Sequence, residues 1–363
     1  MNIIALTRYT RRGASSRLRT YQYIPHLKAS GIRVDVSPLF GDSHLETTYS
    51  GRRARPADIG MAYLKRISSL VEARKYDLIW IEKEVFPFLP PVAERILGRS
   101  GIPYIVDYDD AVFHRYDRHP NALTRRALSG KIAAVMTNAA CVVAGNVYLA
   151  EYAHSVGARR VEIIPTVIDL DRYPIAPYAE NEIFTVGWIG TPITAKYLST
   201  LVDPLRDLSE TGRLRLMVVG AEIEMDGVEV DCRPWSEGTE FDEINRFDAG
   251  IMPLPDTPWE RGKCGYKLIQ YMAAGKPVVA SPVGANGSIV DEGMSGYLAR
   301  SSDEWSNSLA ALRDDAGLRM RMGGEGRKKV ERAYCLQITA PRLAGLIQDV
   351  ATGDGRFSDA VNP

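Results

Sequence analysis

The sequence predicts an α/β protein made of two Rossmann-like domains in tandem, each a parallel sheet covered by helices on both faces. Three observations carry this. Short apolar runs alternate with helical patterns from residue 2 to residue 165. A stretch rich in Pro, Tyr and charge at 169–182 interrupts the alternation, which then restarts at 184. Late in the chain, 248–281 reads DAGIMPLPDTPWERGKCGYKLIQYMAAGKPVVAS: an apolar strand, a loop carrying Arg261, Lys263 and Lys267 among glycines, a helix and a second apolar strand. A chain of 363 residues also exceeds one ordinary core, so two domains are expected.

The elements follow in order. In the first half, strands are predicted at 2–6, 32–38, 76–82 (YDLIWIE), 104–107 (ending in DYDD), 141–144 and 161–165. Helices are predicted at 15–30, stopped by Gly31, and at 57–74, 88–98, 120–138 and 147–154, with a polar, Arg-rich loop at 44–56. Strands separated by crossover helices make a parallel sheet. After the break, strands fall at 184–189, 213–219, 228–232, 250–253, 277–281 and 296–299, and helices at 194–210 and 238–247. Three helices at 302–314, 317–332 and 337–351 close the pattern. The predicted division is a first domain over 1–170, a linker over 171–182 and a second domain over 183–335. A helix at 336–352 crosses back to the first domain, and a flexible tail covers 353–363.

Composition excludes several classes. Lys+Arg and Asp+Glu both number 45, and the apolar and charged fractions are those of a globular protein. No run of eighteen apolar residues exists, and MNIIALTRYTRR places its apolar run before its charges, the reverse of a secretory signal. Cys141, Cys232, Cys264 and Cys335 show no metal or redox spacing, which fits a reducing cytoplasm. Neither do the five histidines show ligand spacing, although His114 lies near DYDD. No basic stripe suits nucleic acid. The charge is polarised, however: residues 1–170 hold 24 basic against 16 acidic residues, and the remainder 21 against 29. One reading is that the first half meets an anionic membrane surface or anionic acceptor at the inner face of the cell membrane; the other is scattered solvated charge.

A strand followed by a glycine-bearing basic loop that opens a helix suits a phosphate group. The first helical N–H groups have no partner in the helix, and the dipole favours negative charge there. Ligands of open parallel sheets bind beyond the carboxyl ends of the strands. The segments at those ends are 8–19, 107–110, 190–196 and 259–267, and two such edges facing one another would make a cleft.

Five segments carry a resemblance: GASSRLR (13–19), IPTVIDLDRYP (164–174), VGWIGTPITAKYL (186–198), KLIQYMAAGKPVVAS (267–281) and IVDEGMSGYLA (289–299). Together they resemble glycosyltransferase family 4, of the GT-B fold, across most of the length. The resemblance implies transfer of a sugar, with retention, from a nucleotide-sugar donor to a lipid-linked or glycan acceptor, in surface polysaccharide or glycoconjugate assembly. It also implies a front-face reaction in which the leaving phosphate helps take the acceptor's proton. The chain departs from the family at defined places. Gly262 and Gln270 stand where two glutamates are usual, Asp109 where a histidine is usual, and the usual Arg and Lys after the first strand of the second domain are replaced, with Lys196 and Lys263 available for their roles.

The expected catalytic residues are Asp109, Asp110, Lys196 and Lys263. Breaking the bond to a diphosphate builds negative charge on the leaving group, and preorganised cations and amides lower that barrier. Donor binding is expected from Gly13, Gly190, Thr191, Arg261, Cys264, Gly265, Tyr266, Lys267 and Gln270, including the amides of Gly190–Thr191 and Cys264–Gly265. Gln270 is expected to bond ribose hydroxyls, and Glu260 or Arg261 to swing in for the missing glutamate. Asp109 or Asp110 would orient or deprotonate the acceptor hydroxyl, or else DYDD caps a segment or binds Arg. Glu82 and Glu84 suit acceptor contact or structure equally. Cations already suit the diphosphate, so no essential metal or other cofactor is expected. The rival readings are a GT-B epimerase-like enzyme and a non-catalytic nucleotide-binding module.

Overall fold

The structure, a computed structural model, describes residues 1–175 and 181–353. Residues 176–180 of the expected linker and the expected tail from 354 lie outside the described residues.

The first sheet contains β1 (Asn2–Tyr9), β2 (Arg33–Phe40), β3 (Leu78–Glu82), β4 (Tyr104–Tyr108), β5 (Cys141–Ala144) and β6 (Val161–Ile163) in the order β2-β1-β3-β4-β5-β6. All its pairings are parallel. The second contains β7 (Phe184–Ile189), β8 (Leu214–Val219), β9 (Glu229–Arg233), β10 (Ala249–Met252), β11 (Val278–Ala280) and β12 (Gly296–Leu298) in the order β12-β11-β10-β7-β8-β9, again all parallel. Every residue of β3, β4, β5, β7 and β10 is buried, as a sheet covered on both faces requires. The order reverses between β1 and β3 in one sheet and between β7 and β10 in the other. Such reversals leave room at the carboxyl ends of the strands for a ligand.

Two compact units contain these sheets. The first comprises Met1–Thr166, the short segment Arg261–Cys264 and the chain from Gln337 onward; the second comprises Val167–Glu260 and Gly265–Leu336. The last helix, Leu336–Thr352, is tied within the first unit. Its Thr339 hydroxyl lies 3.0 Å from the Tyr23 hydroxyl, Arg342 donates to the Ile163 carbonyl at 3.2 Å, and Asp349 pairs with Arg160.

Several local expectations change; among them, the predicted helix at 194–210 is Pro192–Ala195, a 3-10 stretch Lys196–Leu201 and Val202–Thr211. A helix, Asp42–Tyr49, occupies much of the predicted loop at 44–56: Asp42 sits favourably in its first turn, and its lack of an apolar stripe hid it from periodicity. The predicted helix at 15–30 is three pieces, Ala14–Arg19, a 3-10 turn Tyr21–Tyr23 and Ile24–Ala29, broken where Thr20 leaves helical dihedrals. The predicted helix at 120–138 divides into Ala122–Leu128, capped by the Asn121 side chain, and Lys131–Asn138, with Gly130 between.

Candidate active site

In the first unit the chemistry gathers where β4 ends. Asp107, the last acid inside the strand, is committed to the fold. Arg19 donates to it through Nε at 2.7 Å and Nη2 at 3.2 Å, while Arg19 Nη1 reaches the Ile164 carbonyl at 2.8 Å. Asp109 and Asp110, just beyond, face two ammonium groups. Lys83 Nζ lies 2.8 Å from Asp109 and 3.3 Å from Asp110, and Lys263 Nζ lies 3.2 Å from Asp110. Lys83 directly follows β3. It adopts a left-handed backbone, φ 65°, which is uncommon for a residue with a side chain, and its amide donates to the Asp107 carbonyl at 2.9 Å. The bend aims its ammonium across the strand ends, where it also donates to Ser15 Oγ at 3.2 Å.

Burial pushes the Asp110 carboxyl up, but the Lys263 and Lys83 ammonium groups outweigh it and hold it at about 2. Burial pulls the two lysines down, and the facing carboxylates more than reverse this, so both are raised. Asp110 is therefore a carboxylate throughout the physiological range.

The neighbouring glutamates do other work. Glu82 accepts from the Arg8 amide at 2.9 Å and from Ser16 Oγ at 2.6 Å. Glu84 is buried with Lys131 at 2.6 Å and the Tyr116 hydroxyl at 2.7 Å. Both hold the loops after β1 and β3. His114 pairs with Asp117 at 3.0 Å and Tyr148 at 2.8 Å.

Arg261–Cys264 reaches this edge because its residues fit the first unit. Cys264 Sγ is buried in that unit's core, 3.2 Å from the Asp109 carbonyl, and burial pushes its thiol up to about 12. Its side chain is a packing group. Asn146 caps the helix Val147–Ser155 through Oδ1 and donates from Nδ2 to the Lys263 carbonyl at 3.0 Å. Gly262 has no room for a side chain: a Cβ there would stand 2.5 Å from the Ala111 Cβ. Gly13, also expected at the site, forms the turn into Ala14–Arg19, its amide on the Thr10 carbonyl at 3.0 Å.

In the second unit the residues follow β7 and β10. Gly190 leaves space for the Trp188 indole, which a Cβ would approach to 2.4 Å, and Lys267 Nζ lies 5.0 Å above that ring. Gly265 takes φ 64° and opens the helix Tyr266–Ala273, placing Tyr266 and Lys267 in its first turn. Lys196 is exposed, its ammonium 5.3 Å from the Tyr197 ring.

Three expectations meet competing partners. The Gly190 amide donates to the Val219 carbonyl at 2.9 Å and the Thr191 amide to Thr194 Oγ1 at 3.2 Å, so neither is a ready-made phosphate donor. Gln270 is buried, 3% exposed, and its Nε2 donates to the Tyr173 hydroxyl at 3.4 Å. Glu260 does not swing in: Tyr197 donates to it at 2.6 Å and Thr257 holds its other oxygen. Arg261 is exposed, in the first unit.

Two family models match the chain, "Glycosyl transferase 4-like domain" over residues 5–166 and "Glycosyl transferases group 1" over residues 180–315. The chain belongs to the family 4-like glycosyltransferases. Solved structures agree in fold. Sucrose-phosphate synthase from Thermosynechococcus elongatus is 15% identical, with TM-score 0.73 over 98% of this chain and 100% of that one. Anabaena HepE in complex with UDP-glucose is 16% identical, with TM-score 0.72 over 96% and 100%. The lipopolysaccharide outer core galactosyltransferase WaaB is 13% identical, with TM-score 0.63 over 96% and 100%. No curated protein matches the chain. The two parallel-sheet domains are thus those of a GT-B glycosyltransferase.

For this glycosyltransferase the structure brings Asp109, Asp110 and Lys263 together through Lys83, and Gly190 and Lys267 together through Trp188. Lys83, Trp188 and Tyr173 were not singled out in the sequence. The adjacent carboxylates Asp109 and Asp110 of DYDD were a usable signal for the first, because adjacent acids at a strand end call for a cation. Among the described residues no cluster of three or more His, Cys, Asp or Glu is arranged to hold a metal, and no helix is long and apolar enough to cross a membrane.

Proposed function

We propose that this glycosyltransferase moves a sugar, with retention of configuration, from a nucleotide-sugar donor to a lipid-linked or glycan acceptor. The setting we propose is assembly of surface polysaccharide or glycoconjugate at the cytoplasmic face of the membrane, without an essential metal. The observation that carries the reading is the Lys83–Asp109–Asp110–Lys263 array at the end of β4. Structural neighbours bound to UDP or UDP-glucose support the nucleotide-sugar donor.

In this reading Lys263 neutralises the leaving diphosphate. Asp110 fixes its ammonium beforehand, so little reorganisation is needed as charge develops. Lys196, Arg261 and the first turn of Tyr266–Ala273, opened by Gly265, add positive potential for donor phosphates. Lys267 over Trp188 marks the floor on which the donor rests. Asp109 and Asp110 accept from the acceptor hydroxyl. A carboxyl held at about 2 is a weak base, so Asp110 orients the hydroxyl and the proton leaves with the phosphate.

Calorimetry with UDP-, GDP-, ADP- and CDP-sugars, followed by turnover on candidate acceptors, tests the reading. Binding of one nucleotide-sugar class with acceptor-dependent transfer is expected. No binding, or binding without turnover on any acceptor, would overturn it, the second outcome in favour of a non-catalytic module.

A further inference from the structure

The helix Pro56–Glu72 of the first unit turns one apolar stripe to water. Met61, Leu64, Ile67 and Val71 are 67%, 62%, 49% and 68% exposed. At about 100° of rotation per residue these four fall within an arc of about 120° on one side of the helix. The opposite side carries Arg66, which is buried and donates to the Thr7 carbonyl at 2.6 Å. The same helix already packs Leu70 against the core of the first unit, so the exposed stripe is a second apolar face that calls for another occupant.

The apolar surface continues beyond the helix. Tyr63 donates to the Pro87 carbonyl at 2.5 Å and packs 5.2 Å from the Phe86 ring, which seats the helix beside the loop after β3. The next residues, Phe88, Leu89, Val92 and Ile96, are exposed in turn. Phe88 takes φ 58°, a backbone that holds its ring at the surface next to His119.

The charge around this patch is predominantly positive, with Asp58 and Glu72 the exposed acids. Residues 52–75 contain seven Lys or Arg and two Asp or Glu, and every one of the seven except Arg66 is exposed. Between residues 88 and 100 the lone acid, Glu94, is buried and accepts from the Val85 amide, whereas Arg95 and Arg99 are exposed.

We propose that this face docks on an anionic lipid bilayer. The side chains of Met61, Leu64, Ile67 and Val71 enter the boundary between headgroups and acyl chains, and the surrounding arginines and lysines meet lipid phosphates. A second copy of the chain fits less well, because it would press two basic rims together. The inference rests on the peripheral-membrane part of the reading above and names the surface responsible for it.

The test is co-sedimentation of the full chain with vesicles of phosphatidylcholine alone and with phosphatidylglycerol added. Binding to the mixed vesicles is expected, weakened by salt. Leu64→Glu/Val71→Glu, at two exposed positions, is expected to lower the bound fraction about tenfold with an unchanged melting temperature. Arg52→Glu/Arg53→Glu is expected to abolish the preference for anionic vesicles. Equal binding by the variants, or a dimer in light scattering that Leu64→Glu/Val71→Glu dissolves, would overturn the proposal. Donor binding without vesicles separates the two readings. Lost vesicle binding with donor binding intact overturns only this surface, and vesicle binding with no donor binding overturns only the nucleotide-sugar reading.

Discussion

A Cβ built on Gly262 would stand 2.6 Å from the Ala111 amide nitrogen, closer than real Cβ atoms come to backbone. Position 262, where the family usually carries a glutamate, is therefore a close-approach glycine here. Gly262→Glu is expected to damage the enzyme instead of restoring a missing acid. Forcing a side chain against Ala111 costs roughly 1–3 kcal/mol and displaces Lys263 from Asp110. A lower melting temperature together with slower transfer than wild type is the expected result, and faster transfer would contradict it.

Lys263→Ala is expected to keep the fold and lower the transfer rate by roughly 100- to 1,000-fold, the usual effect of removing one preorganised charge donor. Single-turnover rates at saturating donor measure this. Because Lys83 still pairs with Asp110 at 3.3 Å, the fold should survive the substitution.

The acid side of the stability profile should report Asp110. Its folded-state carboxyl sits at about 2, below its ordinary value. Its contribution is therefore fully present above roughly 3.9, the unfolded value, and is lost as pH falls towards the folded one. The raised Lys263 acts oppositely, contributing below its ordinary value and losing that contribution only as pH rises through its higher folded one. Between these limits the Asp110–Lys263 pair should be insensitive to pH. Denaturant midpoints of Asp110→Asn should lie below wild type at pH 7, and the gap should narrow as pH is lowered below 4. A gap that widens in acid would contradict the assignment.

Asn146 does two jobs that substitution can separate. Asn146→Ala removes the cap of Val147–Ser155 and should cost about 1 kcal/mol of stability. Asn146→Asp keeps the capping oxygen but removes the Nδ2 donor to the Lys263 carbonyl. Chemical denaturation should place the Asp variant closer to wild type than the Ala variant, whereas transfer rates should show both slowed.

Tyr173, Gln270 and Glu240 show how far a sequence can be read. Gln270 was legible as a hydrogen-bonding residue on a helix opened by glycine, and so was its register. That its Nε2 meets the Tyr173 hydroxyl, which in turn donates to Glu240 at 2.6 Å, was not legible, because the three come from separate elements. The Gly190 and Thr191 amides repeat the lesson, since their partners are a carbonyl on β8 and a hydroxyl in the next turn.

By itself the sequence determined the alternation of strands and helices, both parallel sheets, the glycine-opened helix at Tyr266 and the acids that end β4. These depend on local periodicity and turn chemistry, which neighbouring residues encode together. Tertiary structure alone decided that Lys83 stands between Asp109 and Asp110, that Arg261–Cys264 packs with the first unit, and that Pro56–Glu72 turns Arg66 inward and leaves Met61, Leu64, Ile67 and Val71 exposed. Each of these choices is made by which distant groups satisfy one another's charge, hydrogen bonds and volume, and no spacing along the chain records that.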